Sequence, residues 1–163
     1  MDESVLAYLA TEGIYTYEVK SVSYQEIPPY SPLPYSEGKQ QTMSHLADWQ
    51  NQVLHSLADH SEIFLEKEQV NNYGNKIYED HLHRAEALGL TEADYTSSTL
   101  ETQGLSLYTY CQKEAQRKIK SMLCVAYLAK LWGLKGGGKE HDTREQYLSI
   151  QERVISCFYH GNL

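Results

Sequence analysis

No stretch of this 163-residue chain approaches the roughly 20 consecutive apolar residues a membrane helix needs. Its greasiest run, Met122–Trp132, is 11 residues long, so no membrane insertion is expected. Positive charge is also short: 14 Lys and Arg stand against 22 Asp and Glu, a net charge of −8. That balance argues against general nucleic-acid binding and against docking on anionic membranes. Cysteine is scarce and odd in number, with Cys111, Cys124 and Cys157 making three and no CxxC among them. Reduced thiols in a cytoplasmic setting are the expectation. No signal-peptide pattern is visible. Catalytic signatures are missing too. There is no recognisable Ser-His-Asp order or nucleophile elbow. The glycine triplet Gly136–Gly138 follows no strand and precedes no GKS or GKT, so it reads as a linker. No internal repeat appears, and no cofactor is called for.

What the chain does have is one long helical pattern over Leu105–Trp132. Tyr108, Cys111, Ala115, Ile119, Met122, Ala126, Ala129 and Trp132 recur at steps of three and four, one face of a helix. In the first half, Lys113, Arg117, Lys118 and Lys120 lie off that seam. In the second half, Leu123, Val125, Tyr127, Leu128 and Leu131 fill the other faces. A helix apolar on all sides has neighbours on all sides, so this is expected to be a buried central helix ended by Gly133.

Tyrosine is the other excess: 14 in all, six of them within the first 35 residues. Residues 3–10 predict a short helix with Val5, Leu6 and Leu9 inward and Gly13 as its stop. Ile14–Tyr24 then alternates, with Tyr15, Tyr17 and Val19 on one side, and is the one good strand pattern. A lone strand cannot satisfy its own backbone. It therefore needs an irregular neighbour, a second copy or another protein, or else it is not a strand. Residues 27–35, Ile-Pro-Pro-Tyr-Ser-Pro-Leu-Pro-Tyr, favour polyproline II. They suit either a stiff arm lying across the helices or a docking segment for an aromatic-lined groove.

Helical spacing starts near Thr42 or Ser44 with Leu46, Trp49, Val53 and Leu57, breaks or bends at Asp59–Ser61, and resumes through Ile63, Phe64, Val70, Tyr73, Ile77, Ala85 and Leu88 to Gly89. Thr91–Asp94 and Ser98–Glu101 look like capping boxes. A last helix, capped by Asp142 or Thr143, carries Tyr147, Ile150, Val154 and Phe158. The expected fold is all-α, a single-domain bundle of four to five helices (residues 42–163) around the central helix, with an extended Tyr/Pro-rich arm (residues 1–41) carrying a short helix and one strand. Residues 43–103 hold 11 acidic and 3 basic side chains, and residues 105–135 hold 6 basic and 1 acidic. These segments can stack on each other, or the basic ridge can meet an anionic ligand.

Two constellations carry potential chemistry. In Glu79-Asp80-His81-Leu82-His83, Glu79 and His83 share a helix face at a spacing bundle metal sites use. No facing helix repeats the motif cleanly, so a solvated charged face is the plainer account. Cys124 lies in the buried helix one turn before Tyr127. It acts as a nucleophile only if a base and a pocket adjoin it, and otherwise as a small apolar residue.

Some of these residues carry family likenesses. Glu79, His83 and Ala85, followed by Glu86-Ala87-Leu88-Gly89-Leu90, resemble the helix ending in A-x-x-L-G-I/L of TenA-like proteins. Tyr108-Thr109-Tyr110, then Leu123-Cys124 and Tyr127 before Gly133, are similar to later helices of that family, within the haem-oxygenase-like all-helical superfamily. The resemblance covers residues 73–133. It implies Cys124 as a thiaminase-type nucleophile with Tyr127 or Tyr108 in the pocket, acting on an aminopyrimidine or thiamine fragment. Leu123-Cys124-Val125-Ala126 with Leu131-Trp132-Gly133 is similar instead to the buried central helix of viral Bcl-2-like proteins, which implies a groove for a partner helix.

The leading expectation is a non-enzymatic helical module, protein-binding or regulatory, whose arm contacts another protein or a second copy through Tyr15, Tyr17, Tyr30, Pro32 and Tyr35, by strand addition or groove docking. On that view the bundle folds without residues 1–41. The alternative is the small-molecule enzyme built on Cys124.

Overall fold

The computed structural model describes the backbone of residues 1–30, 39–137 and 142–159, and the side chains of the same residues except 39–44. Among them are six helices and two strands: α1 (Glu3–Thr11), β1 (Tyr17–Ser21), α2 (Lys39–His60), β2 (Glu62–Leu65), α3 (Lys67–Ala87), α4 (Glu92–Thr99), α5 (Leu107–Leu131) and α6 (Thr143–Tyr159). The chain is mostly helical, but it is not purely α. The strand expected near the N-terminus is present and has its partner within the chain. β1 pairs antiparallel with β2, setting Tyr17 against Leu65, Glu18 against Phe64 and Val19 against Ile63, with a bulge before Ser21. Ile63 and Phe64, which the helical spacing assigned to the next helix, belong to this strand. Glu62-Ile-Phe-Leu is four residues long, too short for its alternation to stand out from a helix pattern on either side.

The helices are capped where side-chain chemistry allows it. Asp2 caps α1 by accepting from the Val5 N–H, Thr91 caps α4 through the Asp94 N–H, and Ser106 caps α5 through the Thr109 N–H. Asp142 accepts from the Glu145 N–H at 3.0 Å. At the far end of α5, Gly133 takes φ +64° and the Leu134 N–H reaches back to the Ala129 carbonyl at 2.9 Å. That closure needs a left-handed residue, and α1 and α3 end the same way.

α5 is the axis of the molecule. Met122 to Ala126, Leu128 and Ala129 have no exposed surface. α2 lays Trp49, Val53 and Leu57 on α5, while α6 adds Ile150, Val154 and Phe158 to the same core. The expected all-round burial has one gap. Tyr127 and Leu131, one turn apart, are 38% and 53% exposed, so α5 keeps an open stripe near its C-terminus. A satellite cluster of Ala85, Tyr95, Leu107 and Cys111 joins α3, α4 and the start of α5.

The N-terminal segment packs into the main core as well. Val5, Leu9 and Ile14 are buried with the side chains of α5 and α6, and Tyr8 stacks on Tyr147 at 5.0 Å between ring centroids. The Asp2 N–H donates to the Ala126 carbonyl at 2.9 Å. Residues 1–30 thus cover α5 and its neighbours instead of standing apart as an extended arm. Pro32 and Tyr35 lie outside the described residues.

Candidate functional site

Each residue singled out from the sequence has a definite place. Cys124 is fully buried, and its thiol points to the Leu57 carbonyl at 3.6 Å. Burial pushes that thiol up to about 11, against the smaller opposing pull of Ser61 and Lys120. At neutral pH the nucleophilic thiolate is therefore a minute fraction. Tyr127 points outward, and Tyr108, 47% exposed, meets Tyr78 edge-on at 5.6 Å. Tyr108 precedes Cys124 by 16 residues, about 24 Å along the axis at 1.5 Å per residue. None of the three clefts described below is lined by Tyr108, Cys124 or Tyr127. Glu79 and His83 are exposed on α3. Among the described residues, no group of three or more His, Cys, Asp or Glu side chains could hold a metal ion. His81 instead bonds the buried Tyr95 hydroxyl at 2.8 Å.

The tyrosines of the N-terminal segment divide. Tyr15 is 68% exposed at the approach to β1, where its N–H and that of Thr16 both donate to the Gln69 side-chain oxygen of α3, at 2.9 and 3.0 Å. Tyr17 is half-buried against the core. Tyr30 packs on Tyr159 at 4.7 Å and on Trp49 at 5.3 Å, while the Trp49 indole N–H donates to the Pro28 carbonyl at 2.8 Å. At Pro28 and Tyr30, then, the proline segment lies on the molecule's own aromatic shelf between α2 and α6.

The first half of α5 borders all three clefts. One, of about 430 Å³, runs between β2 and the first half of α5, with Val70 of α3 at its base. Ile63, Phe64 and Leu65 form one wall and Thr109, Gln112 and Gln116 the other. Lys67 and Lys113 also line it, and none of its lining residues is a carboxylate. A wider cleft, of about 970 Å³, lies on the far side of Lys113 and mixes Arg117 and Lys120 with Asp59, Glu101 and Glu114. A third, near 180 Å³, holds His81 between Asp80 and Arg84. The acidic and basic segments do meet, but the described residues include one ion pair, Arg117 with Asp59 at 3.3 Å. Lys113 lines both the first cleft and the wider one, and among the described residues it is in no ion pair.

The β2 wall and Lys67 were missed from the sequence. The faint signal was there, in the helical break at Asp59–Ser61 followed closely by the strand-forming pair Ile63 and Phe64. Comparison with known protein families, with characterised proteins and with solved structures gives no match.

Proposed function

We propose that this chain is a non-enzymatic helical protein-binding module that meets its partner on the side carrying the two-stranded sheet. The carrying observation is the exposure of two large aromatic side chains there: Phe64 on β2 at 57% and Tyr15, just before β1, at 68%. Aromatic groups held in this way supply contact area at low entropic cost, and they are enriched where proteins meet. Gln69 fixes the chain at Tyr15, and strand pairing fixes Phe64. The contact surface of this reading thus keeps Tyr15 from the N-terminal segment. It replaces Tyr30, which is occupied by Trp49 and Tyr159, with Phe64. A thiol-dependent small-molecule enzyme gains no support from Cys124, which is fully buried, lines none of the three clefts and has its thiol pushed up by burial.

The test is site-specific photo-crosslinking in cells. A benzophenone side chain at position 64 or 15 should give a discrete adduct with another protein. The same group at the exposed Glu86 on α3 should not. Absence of an adduct at 64 and 15, or equal adducts at 86, would overturn the reading.

A further inference from the structure

Building on the protein-binding reading above, we propose that the outer edge of β2 and the facing first half of α5 form a groove that takes an extended, acidic segment of a partner protein as a third strand. Ile63, Phe64 and Leu65 are consecutive, and all three line the groove. Neighbouring residues of a strand point to opposite faces. Ile63 and Leu65 pack against the core while Phe64 faces out. A cleft bordered by all three runs along the strand's edge and not over one face. The opposite edge is taken by β1. In an antiparallel pair, alternate residues turn their N–H and C=O groups away from the partner. Among the described residues nothing bonds to the groups β2 turns outward. An open edge of this kind is the template that strand addition uses.

Charge selects the occupant. Lys67 and Lys113 project at the groove with no carboxylate among its lining residues, on a chain whose net charge is −8. An acidic segment is repelled by most of this surface and attracted here, which sets both position and register. A basic segment is drawn elsewhere. Gln112, in the α5 wall, donates from its amide nitrogen to Asn71 and Asn75, while its side-chain oxygen is buried without a donor. The occupant that fits places apolar side chains beside Phe64 and carboxylates toward Lys67 and Lys113. The volume of about 430 Å³ falls in the usual range of binding clefts, roughly 300–1,000 Å³.

The experiment uses the full chain and a phage-displayed library of randomised peptides about seven residues long, near the length of a typical strand. Recovered sequences should alternate apolar residues with Asp or Glu. The strongest, made synthetically, should shift the amide resonances of Ile63, Phe64, Leu65, Lys67 and Lys113. The double variant K67E/K113E, both sites exposed, should keep its circular dichroism and weaken binding by about tenfold or more. A version of the peptide N-methylated at alternate backbone positions, which removes strand hydrogen bonds and leaves the side chains, should lose binding. Recovery of basic or no sequences, a footprint elsewhere, or unchanged binding of the N-methylated peptide would overturn the groove. So would a concentration-dependent dimer that buries Phe64, since the occupant would then be a second copy. If crosslinking at position 64 succeeds while these results fail, protein binding stands and the acidic third strand falls.

Discussion

Between Met122 and Ala129 every side chain of α5 except Tyr127 is shut off from water, whereas between Tyr108 and Lys120 only Cys111, Ala115 and Ile119 are. One unbroken helix thus has a half wrapped by α1, α2 and α6 and a half with one covered face. The wrapped half is where family resemblance pointed for chemistry, at Cys124. Wrapping also raises that thiol, because burial disfavours the thiolate by more than Ser61 and Lys120 favour it. The half-covered stretch keeps its polar side chains at three clefts, with Lys113 and Gln112 among them. A residue can act on something outside the molecule only where packing leaves it a free face.

The sharpest way to break this comparison is to unwrap the buried half. A chain lacking residues 1–14 loses Val5, Leu9 and Ile14 from the core together with the Asp2–Ala126 bond. It should lose its cooperative thermal transition by circular dichroism. A sharp melt near that of the intact chain would mean that α5 does not depend on its N-terminal cover. Next in size is a pair of substitutions. Leu128→Ala should cost about 2–5 kcal/mol in denaturant unfolding, the usual range for a leucine removed from a packed core. Lys113→Ala should stay within about 0.5 kcal/mol, as exposed positions do. Similar losses at the two sites would erase the distinction between the halves.

The cysteines sharpen it by titration, since each half holds one. Burial raises both Cys111 and Cys124 from 9.0 to about 11. The folded state therefore holds these protons more tightly than the unfolded state. Their contribution is complete below about pH 9 and is lost as pH rises toward 11. Stability measured by urea titration should fall across that window, and Cys111 and Cys124 should resist iodoacetamide at pH 7.5 until the chain is denatured. Rapid single labelling of Cys124 in the native protein would restore it as a nucleophile. A smaller loss than that of Leu128→Ala is expected at the end of the wrapped half. Gly133→Ala forces a side chain into a left-handed backbone at φ +64° and should cost about 1 kcal/mol. The substituted Cβ meets no neighbour within 4 Å, so a larger loss would show that the cap does more than close the helix.

Much of the helical frame was legible. The seam from Cys111 to Ala129, the inward set Trp49, Val53 and Leu57, and the set Tyr147, Ile150, Val154 and Phe158 are all buried. Helical period repeats often enough over such lengths to be read directly. The second strand was not legible, since four residues hold only two periods of alternation. Nor were the contacts of the N-terminal segment. The tyrosine excess marked it as unusual but could not say which rings go inward. Tyr8 stacks on Tyr147, 139 positions away in sequence, while Tyr15 stays in water. The candidate groove joins residues 63–67 to residues 109–116, and each stretch by itself reads as an ordinary amphipathic segment.

By itself the sequence determined most of the helical segments, which of their faces are apolar, and that one helix is greasy enough to sit at the centre. Those properties are local, set by side-chain period and capping chemistry. The tertiary structure alone decided that the first 14 residues belong to the core, that β1 finds its partner at Glu62–Leu65, and that Lys67 and Lys113 share one cleft. These are meetings between segments distant in the chain, and they are chosen by the burial and backbone pairing of the whole molecule.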